Sequence, residues 1–157
     1  MAGVTLRRVD AETYDAVVAL RVTDEQLGWI ATNERSLAQT AADPALTGYA
    51  VFDAAERGMA TPATGPVGFA LLEVRAGVGL INRLMIDRGA QRLGDGRALL
   101  TELIRRLTLD PDVETITVSH RASNAPMAAL LAAAGFVPWA VPWPDPDPDE
   151  SYLRLPD

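Results

Sequence analysis

The chain has 157 residues, 48% of them apolar, which suits one domain with one sizeable core. It contains no cysteine and a single histidine, His120, which excludes disulfides, thiolate metal sites, a cysteine nucleophile and a multi-histidine metal centre within one chain. All 14 basic residues are arginine and the net charge is −7, a poor balance for a nucleic-acid binder, whose affinity comes mainly from neutralising phosphates, but compatible with a cationic substrate.

The N-terminus, MAGVTLRRVD, lacks the apolar stretch of a signal peptide, and no apolar run approaches the roughly 20 residues that cross a bilayer. A cytoplasmic protein is expected. Residues 4–9 read as a strand, and Asp10 is a candidate N-cap for a helix carrying Tyr14, Val17, Val18 and Arg21. A second helical stretch runs from 24 to about 42, broken near Thr32 and Asn33. Residues 48–54 predict a strand, and 57–66 a Gly- and Pro-rich loop. Two long apolar runs, 66–75 and 78–87, joined by Ala76-Gly77, read as a hairpin. Residues 94–107 give the clearest helix, with Leu99, Leu100, Leu103, Ile104 and Leu107 on one face and Arg97, Glu102, Arg105 and Arg106 largely opposite. Asp110-Pro111-Asp112 is a turn, and 114–120 alternates as a strand should. Residues 124–134 form an alanine-rich helix with Gly135 at its C-terminal stop. The last strands, 136–141 and 151–155, flank an acidic, proline-rich loop. The order β-α-α-β-β-β-α-β-α-β-β, with no repeat, predicts a single α+β domain over 1–157, a mixed sheet with helices on both faces.

The strongest chemical signal lies in residues 80–100, where an apolar strand ends at Asp87 and Gln91-Arg92-Leu93-Gly94-Asp95-Gly96 opens an amphipathic helix. Two glycines at a helix start leave backbone N–H groups uncovered, and with the helix dipole these make an anion site that suits a diphosphate. Arg88, Arg92 and Arg97 add local positive charge. A glycine turn that merely starts a helix is the plainer reading of this stretch by itself. The first glycine of the dinucleotide fingerprint is missing, and no Gly-Lys-Ser/Thr follows, so neither classical nucleotide loop applies.

With Asn124 followed by a short helix ending in Gly135-Phe136, this segment resembles the GNAT N-acetyltransferase superfamily, which carries Q/R-x-x-G-x-G/A after its fourth strand. The resemblance implies a mostly antiparallel sheet of six to seven strands. It also implies transfer of acetyl from acetyl-CoA to a primary amine by direct attack, with no metal. By position, the main chain of Leu84, Met85 and Ile86 would pair with pantetheine. Gln91, Arg92, Leu93, Gly94, Asp95, Gly96 and Arg97 would hold the diphosphate, and Asn124 would touch the pantetheine arm. Where the family often has a tyrosine that protonates the leaving thiolate, this chain has Leu131, with Tyr152, Tyr49 and Ser119 as substitutes.

Glu73 shares the strand parity of Val67, Phe69 and Leu71 and is the candidate general base, while an N–H near Met85 or Ile86 would take the developing oxyanion. Asp24, Glu25 and Glu34 fall where the family builds its acceptor wall, and His120 falls near the cleft. The segment WIATNERSL, with Leu84 to Asp87, resembles the polyamine acetyltransferase branch. Trp139 and Trp143 mark an apolar edge for a homodimer contact or an acceptor cap. The rival readings are a CoA-binding sensor or accessory protein, favoured by Leu131, and an enzyme for longer acyl chains.

Overall fold

The protein is described by a computed structural model over residues 3–28, 31–53, 65–91 and 94–156, with the backbone alone for Asp24 and Glu25. Among these residues seven strands form one sheet: β1 (Val4–Arg8), β2 (Leu46–Asp53), β3 (Gly68–Arg75), β4 (Val78–Ile86), β5 (Thr115–Arg121), β6 (Val137–Pro138) and β7 (Glu150–Arg154). Their spatial order is β1-β2-β3-β4-β5-β7-β6, and every pairing is antiparallel except β4 with β5. Among the described residues four helices join them: α1 (Tyr14–Ala19), α2 (Asn33–Ala42), α3 (Asp95–Leu109) and α4 (Ala125–Ala133). A 3-10 turn, Asp24–Gly28, precedes α2 and accounts for the predicted break.

Strand alternation sends the apolar residues to two cores. On one face Val51, Ala70, Leu72, Ile81, Ile86 and Val118 meet the α3 leucines 99, 100, 103 and 107, with Leu131 of α4. On the other, Ala50, Phe52, Phe69, Leu71 and Met85 meet Val17 of α1 and Leu37 of α2. Fully burying one such side chain stabilises by about 1.5–3 kcal/mol, so the two faces anchor the sheet jointly.

Two local devices shape the centre. Leu71 pairs with Arg83 while Leu72 pairs with Ile81, so Asn82 is an extra residue that bulges β4. β4 and β5 pair only from Val78↔Thr115 to Ile81↔Val118, and beyond the bulge they part. β5 stays in the sheet through β7, where Ser119, His120 and Arg121 pair with Tyr152, Ser151 and Glu150.

Some boundaries differ from the sequence reading. Asp10 does not cap α1: its carboxylate accepts from the Glu12 and Thr13 amides at 3.0 and 3.1 Å, making a turn, and Thr13 is the N-cap. The strand expected over 136–141 shortens to Val137–Pro138, because Pro138 has no N–H to continue a ladder and only Trp139 N–H still reaches Tyr152 O, at 2.9 Å. Most of the predicted loop at 57–66 lies outside the described residues.

Gly68 is required by close approach: a Cβ there would lie 2.5 Å from the Met85 carbonyl oxygen and 2.9 Å from Ile86 Cδ1. Gly68→Ala is expected to destabilise the fold by about 1–3 kcal/mol, measured by urea unfolding, since a backbone oxygen cannot yield as a side chain does. An unchanged midpoint would show that β3 and β4 are not held at this spacing.

Candidate active site

The parting of β4 from β5 opens a cleft of about 190 Å³, walled by Leu84, Met85 and Ile86, by Gly96 of α3, and by Asn124, Met127 and Leu130 at α4. Asp87 N–H donates to Val67 O at 2.7 Å, so the main chain of Asp87 points at β3. Alternation then turns Met85 toward β3 as well, and Leu84 and Ile86 toward the cleft. The cleft-facing edge of β4 thus offers main-chain groups that β5 does not pair. The oxyanion donor expected near Met85 or Ile86 falls on this edge only at Leu84 and Ile86. The Met85 side chain is buried on the α1–α2 face.

The start of α3 closes one end. Asn124 caps α4, its Oδ1 accepting from Met127 N–H at 3.2 Å, and Thr32 caps α2, accepting from Arg35 N–H at 3.2 Å. The N-cap of α3 is Gly94, at φ +87°, with no side-chain cap. The first helical bond is Ala98 N–H to Gly94 O at 3.1 Å, leaving the amides of Asp95, Gly96 and Arg97 without helical acceptors. A Cβ on Gly96 would meet nothing nearer than 3.9 Å, so the surface over this turn is open. Arg97 is exposed; Arg92 and Leu93 lie outside the described residues.

Asp95, 1% exposed, sits in that first turn beside Asp53. Burial first, then the neighbouring Asp53 charge, raises its pKa above the ordinary carboxylate value. The α3 dipole favours a negative Asp95, and desolvation outweighs it.

Gln91 acts as a clamp. Its Nε2 donates to Ile86 O and to Gln26 Oε1, both at 2.9 Å, and Gln26 Nε2 returns a bond to Gln91 Oε1 at 3.3 Å. Gln91, expected to hold diphosphate through its main chain, therefore uses its side chain to tie the end of β4 to the 3-10 turn. Gln26 carried no signal in the sequence beyond being polar in a helical stretch.

On the α1–α2 side a second cleft of about 260 Å³ is lined by Val18, Leu27, Thr32, Asn33, Glu34 and Met85. Asn33, 7% exposed, donates to Val17 O at 2.9 Å and lies 3.7 Å from Met85 Sδ. Val22 and Met85 line both clefts and separate them. A third, narrow cleft of about 40 Å³ enters the parting itself, lined by Arg83, Leu84, Ser119, His120, Leu131 and Glu150, among others. His120 Nδ1 donates to Arg121 O at 2.7 Å.

Several predicted residues are not brought to these clefts. Glu73 has the expected parity but pairs with Leu80, beyond the bulge from the parting, and bonds Arg75 at 3.5 Å. Tyr49 stacks under Arg106 on the far side, 5.2 Å from its guanidinium. Tyr152 accepts from Asp147 N–H at 3.1 Å and packs edge-on against Trp143, itself edge-on to Trp139, with ring centroids 5.5 Å apart in each pair. Arg83 and Glu150 carried no prediction. Arg83 is the one charge inside the apolar run of β4, which is the signal that could have found it.

The family model for the acetyltransferase (GNAT) family matches residues 14–136. No curated protein matches the chain. Among solved structures it is similar to Campylobacter jejuni N-acetyltransferase PseH in complex with acetyl coenzyme A, at 16% identity, 97% of each chain covered and a TM-score of 0.65. It is similar also to Arabidopsis thaliana NAA60 in complex with acetyl-CoA, at 11% identity, 97% of each chain and TM-score 0.70. A domain from Methanocaldococcus jannaschii gives 11% identity, 99% of each chain and TM-score 0.75. At these identities the three show a shared fold.

Because the Asp95 pKa is raised, ionising it costs the folded state stability that is lost as pH rises from the ordinary carboxylate pKa through the raised one. Asp95→Asn is therefore expected to melt at a higher temperature than the parent at neutral pH and to lose that advantage below about pH 3.5, followed by circular dichroism. An advantage that persists at acid pH would assign it to packing rather than charge.

Proposed function

The chain belongs to the GNAT family of acetyltransferases, and from that membership we propose that it moves the acetyl group of acetyl-CoA onto a small primary amine within a ternary complex. The observation that carries this reading is the junction of an uncapped helix start with an unpaired strand edge. The first fits a diphosphate and the second an extended amide-bearing arm. A mostly apolar open cleft of about 190 Å³ runs between them.

Bound acetyl-CoA supplies an activated thioester. The amides of Asp95, Gly96 and Arg97 hold phosphate oxygens, and the cleft-facing main chain of Leu84 and Ile86 pairs with the arm as an added strand would. Asn124 keeps its amide nitrogen for the same arm, since its oxygen is spent on the α4 cap. An N–H of Leu84 or Ile86 takes charge that builds on the acetyl oxygen, a contribution of about 3 kcal/mol where such donors have been removed.

The acceptor must lose a proton before attack. An alkyl ammonium has a pKa of about 10.4, so neutrality at pH 7 costs roughly 4.6 kcal/mol, which a base or a desolvating wall has to offset. Glu34 on the rim of the second cleft would attract the ammonium, and His120 lines the narrow cleft at the parting. Leu131, fully buried, donates no proton to the leaving sulfur. A thiol pKa of about 8.5 makes the thiolate a tolerable leaving group, so water suffices at a reduced rate. The polyamine resemblance rests partly on Trp29, which lies outside the described residues, so it does not choose the amine.

CoA at about 100 times its Kd should stabilise the protein by roughly 2.7 kcal/mol in a thermal-shift titration, and an amine panel should give sustained thiol release from acetyl-CoA. Gly96→Glu, which puts bulk and negative charge over the open turn, should raise the KM for acetyl-CoA at least about tenfold with the fold intact. Binding without release would favour the sensor reading that Leu131 suggests. Neither binding nor release would defeat both.

A further inference from the structure

The narrow cleft at the parting holds two side chains of opposite charge that do not meet. Arg83 pairs with Leu71, whose side chain is in the α1–α2 core, so Arg83 points to that face. Val118 and Leu153 pair and share the other core, so Arg121 and Glu150, three positions on in β5, turn to the α1–α2 face as well. The cleft thus has Arg83 on its β4 wall and Glu150 on its β7 wall, both on the acceptor side.

Neither group is satisfied by the other. Among the described residues Arg83 makes no ion pair; one terminal nitrogen donates to the Asn82 main-chain and side-chain oxygens, and its Nε is buried without a partner. Glu150 Oε2 is likewise buried without a partner. A buried guanidinium stays charged, so its desolvation calls for an anion, and a buried carboxylate oxygen calls for a donor.

Resting on the acetyltransferase reading above, we propose that this cleft is a head-group subsite for an acceptor that carries a carboxylate beside its amine, an amino acid or a close analogue. Arg83 takes the carboxylate and Glu150 takes the ammonium. A cleft of about 40 Å³ admits such a small head group and leaves the rest of the acceptor outside. The cleft shares Leu84, Asn124 and Met127 with the cofactor passage, which brings the amine alongside the thioester end. Glu150 accepts one ammonium proton. The freed nitrogen then bonds the acetyl carbon as the carbon–sulfur bond breaks, and a second nitrogen proton passes through water to the departing sulfur. The products are the N-acetyl amino acid, CoA thiol and one proton, released when Glu150 reionises.

The surroundings agree. Burial, before any charge, raises the Glu150 pKa above the ordinary glutamate value; Asp147 on the preceding loop adds to this, and Arg121 and His120 of β5 with Arg83 of β4 oppose it. Burial likewise works against the Arg83 charge, Arg35 of α2 and Arg121 add to that, and Glu150 alone counters them. An incoming carboxylate relieves this excess of positive charge.

The test is thiol release by the full chain with acetyl-CoA, comparing the standard amino acids with their carboxamides, with the decarboxylated amines and with a polyamine. At least one amino acid should be acetylated with a kcat/KM about tenfold to hundredfold above its carboxamide, the difference lying in KM. Arg83→Gln should remove that preference by weakening the acid and sparing the amide. Arg83→Lys, the variant better suited to folding, should restore part of it. Glu150→Gln should lower kcat and erase the acid limb of the pH profile, which a purely structural role would leave in place. Equal use of acid and amide, preference for the polyamine, no turnover of any amino acid, or equal slowing of acid and amide by Arg83→Gln would each overturn the proposal. A retained CoA thermal shift in those cases marks failure of this subsite alone, whereas loss of the shift marks failure of the wider reading.

Discussion

The constraint on which the site depends is that β4 and β5 share four register positions and then separate. Leaving buried main-chain groups unpaired costs about 1–3 kcal/mol each, so a sheet does not part without a reason. Here each strand keeps its outer neighbour, β4 holding β3 and β5 holding β7, so only the inward groups are given up. The extra residue at Asn82 supplies the bend, and α4 lies over the opening with Leu131 and Met127. The result is a slot walled by β4 on one side and by the starts of α3 and α4 on the other, so regular elements rather than loops form most of it.

Much of the architecture was legible in the sequence because its elements are strongly patterned. The α3 leucines recur at helical spacing, the β3–β4 runs are joined by a two-residue turn with Ala76 and Gly77 both at positive φ, and α4 stops at Gly135, at φ +97°. The uncapped start of α3 was legible for a similar reason: glycines at a helix start have a local backbone consequence that needs no knowledge of the rest of the fold. The cleft walls at Leu84, Ile86 and Asn124 followed from family resemblance rather than from pattern.

What failed to show was everything set by pairing across distance. Glu73 was read to the right face, but parity says nothing about how far along a strand a residue lies, and its pairing with Leu80 puts it beyond the bulge. Tyr152 looked available until the aromatic stack with Trp143 gave it neighbours. Arg83 and Glu150 line one cleft only because β7 is inserted between β5 and β6, an arrangement no local window contains. Gln91 lies shortly before α3, and only the turn folded back from Asp24–Gly28 reveals that its side-chain amide is engaged with another.

That engagement has a further consequence. One link between the end of β4 and the 3-10 turn is a reciprocal pair of neutral carboxamides, Gln26 and Gln91, and not an ion pair. Neither partner titrates in the physiological range, and Debye screening has no net charge to act on. This tie is therefore insulated from acidity and ionic strength, whereas the bond from Arg21 N–H to the Asp87 carboxylate beside it, at 2.8 Å, is not.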